Sequence, residues 1–307
     1  MEDFPIAFKR EYDRTVLTVY QKLESELGPC VRHEPQSGEM LGFDYIGETE
    51  AIEDLPLDAD TPCMNTPHYK RWVKMHSLTW ADRISDLAKI QALIDPASDY
   101  LRVGIGALRR KEDRNILKAG YASVLTGKEA DVTVNAYDAG ECRLIEGDGS
   151  VLTAGSNFAG TTETPLTVAK LQTISELMDD AKVPKEGRYF CANPYNKQML
   201  QATTDVKSSD YNAVKALVND EVNHFMGFDF KWLPTDYFTV NATDTGCIQC
   251  MAWQRDAILQ TTGMEIKSEV SRLPNKNYNT QVWARSFKGN VRLFGPGVVL
   301  ILLKKSR

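Results

Sequence analysis

Residues 95–125, DPASDYLRVGIGALRRKEDRNILKAGYASVL, form the stretch that decides how the rest of the chain is read. Leu101, Ile105, Leu108, Ile116 and Ala119 recur at helical spacing and lay down one apolar stripe. Asp95-Pro96 opens the run and Gly127 closes it, so the pattern predicts one long helix of about 40 Å at 1.5 Å per residue. Its middle, Arg109 to Arg114, is densely charged. A solvated helix face is the ordinary account of such a run. Pairing with an acidic segment of another subunit is the sharper one.

Upstream, Phe8, Tyr12, Val16, Val19, Leu23 and Leu27 predict an amphipathic helix over 5–27, ended by Gly28-Pro29. It reads equally as a docking arm or as the first helix of a core. Residues 38–80 differ: Phe43 to Ile46 and Tyr69 to Trp80 look like strands. Between them lies an acidic stretch carrying Glu48, Glu50, Glu53, Asp54, Asp58 and Asp60. A connection this long is uncommon inside a compact domain. It is either a solvated surface loop or a two-stranded projection reaching toward a partner.

Downstream, Glu141 to Ile145 and Val151 to Thr153 flank Glu146-Gly147-Asp148-Gly149-Ser150, which predicts a β-hairpin. A helix starts at Thr164-Pro165 or Thr167, with Val168, Leu171, Ile174, Met178 and Ala181 on one face, and stops at Pro184. Gly187 to Pro194 predicts a buried strand, followed by a helix to about Thr203, and another helix precedes Gly227. The last third is strand-rich and ends in Gln281–Lys288, Asn290–Phe294 and Val298–Leu303.

The chain has 307 residues, 42% hydrophobic and 25% charged, which excludes disordered and collagen-like classes. The net charge of -6 speaks against a dedicated nucleic-acid-binding module. No run approaches the roughly 20 apolar residues of a membrane span, and Met1-Glu2-Asp3-Phe4-Pro5 lacks the features of a signal peptide. Six scattered cysteines point to reduced thiols in a cytosolic setting. The expectation is a soluble, intracellular, non-secreted chain.

Catalytic constellations are missing. Gly104-Ile105-Gly106 sits inside the helix and lacks the third glycine and preceding strand of a dinucleotide site. His33, His68, His76 and His224 are not at metal-ligand spacing. Cys247-Ile248-Gln249-Cys250 is the one formal motif. Its surroundings, Gly246 to Trp253, read as a buried strand, so packing outweighs redox chemistry there. The sequence therefore offers no catalytic, cofactor-binding or metal-ligating residues, and predicts no enzyme.

Taken in order, these elements resemble the major capsid proteins of tailed bacteriophages. The local matches are Val222 to Phe230 with its Met226-Gly227-Phe228 step, Cys247 to Leu259 with Arg255-Asp256-Ala257, and the closing segments Tyr278–Arg285, Gly289–Arg292 and Gly297–Ile301. The resemblance implies an α+β, Hong Kong 97-like capsid fold. It divides the chain into an N-terminal arm (1–37), an E-loop (38–80), a P-domain with its spine helix (81–130), an α/β A-domain (131–265) and closing strands (266–307).

The implied function is a structural shell protein that self-assembles into an icosahedral virion capsid around phage DNA. Its implied partners are copies of itself in pentamers and hexamers, a portal protein, a separate scaffolding protein or none, a decoration or cement protein, and packaged double-stranded DNA in non-specific proximity. No membrane is implied, and assembly would take place in the host bacterial cytoplasm. The arm helix begins within a few residues of Met1, so maturation cleavage is not expected. Residues 43–67 contain no lysine, so a lysine cross-link from the E-loop is not expected either. Charge complementarity pairs Glu48, Glu50, Glu53, Asp54, Asp58 and Asp60 with Arg109, Arg110 and Arg114 of a neighbour. An encapsulin-like compartment shell is the neighbouring reading, and a cytosolic α/β enzyme using Cys247 and Cys250 is the alternative from another class.

Overall fold

The computed structural model describes residues 24–53, 60, 63–84, 97–128, 133–135, 143–152, 158, 163–202, 224–241 and 245–306. The chain divides into two compact units. One takes in Ser77–Arg110 and Met264–Ser286; the other takes in Ser25–His76, Lys111–Gly263 and Phe287–Arg307.

The larger unit is built on a six-stranded sheet in the order β7-β14-β11-β8-β10-β9. These strands are β7 (Arg143–Ile145), β8 (Arg188–Ala192), β9 (His224–Phe225), β10 (Phe228–Trp232), β11 (Cys247–Gln254) and β14 (Val298–Lys304). β14 lies antiparallel to β11 with Ile301 opposite Cys250, and parallel to β7. The run Val298 to Leu303 is buried throughout. An unbroken apolar run, rather than an alternating one, is what a central strand with both faces covered requires. Helices α2 (Val168–Asp180) and α3 (Pro194–Ala202) belong to the same unit. Thr167 caps the first by accepting from the Lys170 amide. Leu171, Ile174, Met178 and Leu200 join the main core with Phe190, Trp253 and Ile301.

Two turns show their sequence logic. Between β9 and β10, Met226 (φ 53°) and Gly227 (φ 81°) both take positive φ, as a type I′ hairpin turn demands. At Glu146–Ser150, the Glu146 amide donates to the Ser150 carbonyl at 2.9 Å, and Ile145 bridges Val151, closing the expected hairpin.

A four-stranded sheet in the same unit runs β2-β3-β5-β6, made of β2 (Met40–Ile46), β3 (His68–Lys74), β5 (Val124–Thr126) and β6 (Thr133–Asn135). β2 and β3 form the antiparallel hairpin whose far end carries the acidic stretch. β1 (Arg32–Pro35) pairs in parallel with Leu259–Thr262, the start of β12 (Ile258–Arg272).

The smaller unit holds most of β4 (His76–Ile84), the parts of β12 and β13 (Thr280–Arg292) between Met264 and Ser286, and the first half of α1 (Ala97–Tyr121). Thr280, Val282, Ala284 and Ser286 are buried while the residues between them are half-exposed, the period of two expected of a strand with one covered face. A Cβ at Gly104 would stand 2.3 Å from Trp80 Cε3. The glycine of Gly104-Ile105-Gly106 thus admits an indole against the helix.

Several boundaries depart from the sequence pattern. The long helix runs from Ala97 to Tyr121, and β5 follows it directly. The strand expected over Tyr69–Trp80 breaks at Met75 into β3 and β4, which join different sheets. The expected N-terminal helix lies outside the described residues as far as residue 23. Glu24 to Leu27 are not helical, and Gly28–Cys30 is a single 3₁₀ turn. The expected helix before Gly227 lies mostly outside the described residues, and His224–Phe225 is strand. Gln281–Lys288 and Asn290–Phe294 are largely one continuous strand, Thr280–Arg292. β12 runs from Ile258 to Arg272, inside the last third that the sequence reads as strand-rich without bounding this strand.

Candidate assembly surfaces

The β2–β3 hairpin is anchored at its base, and many of its described residues farther out are exposed. Arg71, only 5% exposed, donates from Nη1 to the Arg292 carbonyl at 3.0 Å and from Nε to Tyr45 Oη at 3.2 Å. Tyr45 stacks on Tyr69 at 5.1 Å and meets Phe294 edge-on at 5.2 Å. Trp72 Nε1 donates to the Gly127 carbonyl at 2.9 Å. Beyond this base, Ile46 is 67% exposed and Ile52 53%, and Met64 and Tyr69 are also exposed. Glu48, Glu50, Ile52, Met64 and Pro67 border an open hollow of about 420 Å³. Several large apolar side chains on one projection are a surface to be covered.

Of the acidic candidates, Glu48, Glu50, Glu53 and Asp60 are exposed, while Asp54 and Asp58 lie outside the described residues. Glu48 forms an ion pair with Lys182 of its own chain. Of the basic candidates, Arg109 and Arg110 are half-buried. Arg114 pairs with Asp236, and its guanidinium sits 5.0 Å from the Tyr237 ring centroid, again within one chain.

The charged run on α1 holds a surprise that spacing does not reveal. Glu112 and Asp113 are 3% and 1% exposed. Glu112 receives a 2.7 Å bond from Lys288 Nζ, a pair buried on both sides. Asp113 accepts from Ser25 Oγ at 2.6 Å, the Leu27 amide at 3.2 Å and the Glu26 amide at 3.3 Å. It thereby clamps the chain emerging from the N-terminal segment onto the helix. Burial pushes its carboxyl above the ordinary range, opposed by those three bonds. The solvated-face reading fails at these two positions because each acid has a donor distant in sequence.

Cys247 and Cys250 lie on β11 with no exposed surface, and burial holds the Cys250 thiol well above its usual range. Such thiols pack and do not attack. Burial pushes Cys30 up to about 11, whereas Cys63, on the β2–β3 connection, is exposed. Among the described residues no group of three or more His, Cys, Asp or Glu could hold a metal ion. No helix among them is long and apolar enough to cross a membrane.

An exposed apolar hairpin, a long helix and a sheet core with buried thiols are the features set beside known proteins. The family model described as phage capsid protein matches residues 5–305, and the chain belongs to that family. It is a structural major capsid protein of an icosahedral phage shell, and its fold is Hong Kong 97-like.

Solved structures agree on the fold at low identity. The chain is similar to the capsid structure of cyanophage P-SCSP1u, with 17% identity, TM-score 0.70, and 98% of this chain and 94% of that chain covered. It is similar to a structure from Mycobacterium phage Che8, at 14% identity, TM-score 0.71, with 97% and 98% covered. The capsid asymmetric unit of cyanophage Pam1 matches over the full length of both chains at 14% identity and TM-score 0.70. No curated protein sequence matches this one.

Proposed function

We propose that this chain assembles as pentamers and hexamers into a shell around packaged double-stranded DNA, and that it works by contact alone rather than as an enzyme. The match to the phage capsid family over residues 5–305 carries the reading. It also favours the phage virion over a cellular compartment. Assembly takes place in the host bacterial cytoplasm. A portal protein fills one vertex, a scaffolding protein assists where closure needs a template, and a decoration protein covers outer seams. The net charge of -6 suits a container whose DNA lies close without binding to it.

The proposed working parts are an arm (1–37), an E-loop (38–80), a P-domain with the spine helix (81–130), an A-domain (131–265) and closing strands (266–307). The contact between subunits sets Glu50, Glu53 and Asp60, with Asp54 and Asp58, against Arg109 and Arg110 of a neighbour. Glu48 and Arg114 already have partners in their own chain and join by exchanging or sharing them. Each exposed pair contributes about 0–1 kcal/mol, so only the repeated network matters. Reversing Arg109 and Arg110 to Glu should leave a folded chain that makes few particles. Normal particle yield from that double variant contradicts the contact.

A further inference from the structure

Among the described residues the far half of β12 has an open strand edge, and we infer that it pairs with the same segment of a second copy across a two-fold axis. This inference rests on the shell reading above.

β12 sits between β1 and β13 in its sheet, but β1 reaches only Leu259–Thr262. Among the described residues, no strand borders the other edge of residues 264–272. Lys267, Ser268, Glu269 and Val270 are exposed in succession, so both faces of the strand meet solvent there. An open edge with unpaired backbone groups is a template for another strand.

Two bonds fix which backbone groups face outward. The Thr262 carbonyl accepts from the Gln36 amide on the β1 side, and the Leu273 amide donates to the Asn279 carbonyl on the β13 side. Backbone groups alternate along a strand. The N–H and C=O of Met264 and Arg272, next to those two bonds, therefore point to the open edge.

Symmetry and charge then select one register. Two copies of one strand side by side and antiparallel are related by a two-fold axis perpendicular to the sheet, so one residue must face itself. Centring on Lys267 sets Glu265 against Glu269 twice and lysine against lysine. Centring on Glu269 sets glutamate against itself. Centring on Ile266 pairs Glu265 with Lys267, but runs into the positions β1 already fills. Centring on Ser268 opposes Lys267 to Glu269 twice, Ile266 to Val270 twice and Met264 to Arg272 twice, over the whole free length. Opposite charges and β-branched residues directly across a strand pair are stabilising. The occupant is a second copy of residues 264–272.

The test is disulfide trapping in shells made from a Cys63→Ser background. In an antiparallel pair the facing Cα atoms are about 4.5–5.5 Å apart, within disulfide reach. Ser268→Cys should yield a covalent dimer on a non-reducing gel, Arg272→Cys alone should not, and Met264→Cys with Arg272→Cys should. Lys267→Glu should cut the Ser268→Cys dimer about tenfold by placing like charges opposite each other, and adding Glu269→Lys should restore it. Shells that form without the Ser268→Cys dimer overturn the pairing and leave the shell reading intact. A dimer equally strong for Arg272→Cys alone overturns it as well. A background protein that forms no shells contradicts the shell reading instead. A Ser268→Cys dimer of its free chain still supports the pairing, and a free chain without one overturns it.

Discussion

The six-stranded sheet and the β2–β3 hairpin treat apolar residues in opposite ways. In the sheet, Phe190, Ile248, Trp253 and Ile301 have no exposed surface, and every residue from Val298 to Leu303 is buried. In the hairpin, Ile46, Ile52, Met64 and Tyr69 are exposed, and Ile52 and Met64 border a hollow open to solvent. Burying one large apolar side chain contributes about 1.5–3 kcal/mol. The sheet gains this on folding; in the proposed assembly the hairpin gains it when a neighbouring subunit covers it. Under the proposed assembly, fold stability and shell contacts fall to separate regions, and variants should separate them.

The largest effect belongs to the sheet. Trp253→Ala empties a buried site and orphans the Cys30 carbonyl that its indole meets at 3.0 Å, and should cost about 3–5 kcal/mol in chemical denaturation. If the chain unfolds at the parent denaturant midpoint, the sheet is not the stability core. Next comes the buried pair on α1. Glu112→Gln or Lys288→Met alone should cost about 3 kcal/mol by stranding a charge, whereas Glu112→Leu with Lys288→Met should recover most of it. A double variant as weak as the sum of the singles would show that the pair's charge is itself required.

A pH experiment probes the same unit more gently. Lys170 Nζ is held by Thr164 Oγ1 at 2.6 Å and the Pro165 carbonyl at 3.0 Å, and burial lowers its pKa from 10.5 to about 8. Between those values the unfolded chain holds more protons on this lysine than the folded one, so stability gains a component that rises with pH. Below pH 8 the penalty on the charged form is complete. Lys170→Met should flatten that rise, and an unchanged slope would mean the lysine is not desolvated.

The hairpin should respond in the reverse sense. Ile46→Ser with Ile52→Ser should leave unfolding within about 0.5 kcal/mol of the parent while sharply lowering particle yield. Full yield would dissolve the contrast between the two regions. Smallest of all, Glu48→Ala removes an exposed pair with Lys182 and should change stability by at most about 1 kcal/mol.

How much of this was legible in the sequence follows the same divide between local and distant causes. The helix at Val168–Asp180, the strand at Arg188–Ala192 and the closing strand are set by capping, period and apolar run, all visible within a dozen residues. The burial of Glu112 and Asp113 was not legible, because their donors lie 176 and 88 residues away. The reach of β12 to Arg272 escaped too, since Glu265, Lys267 and Glu269 interrupt its apolar residues as a solvent-facing strand does. The family resemblance supplied the acidic and arginine contact set; the structure adds the intrachain partners of Glu48 and Arg114.

The most direct test of the central claim is electron microscopy of the purified protein, expressed alone and together with its neighbouring genes. The account predicts closed shells of uniform diameter in at least one preparation, and shells only in the second would mark a need for scaffold. Monodisperse single chains in both preparations would contradict it.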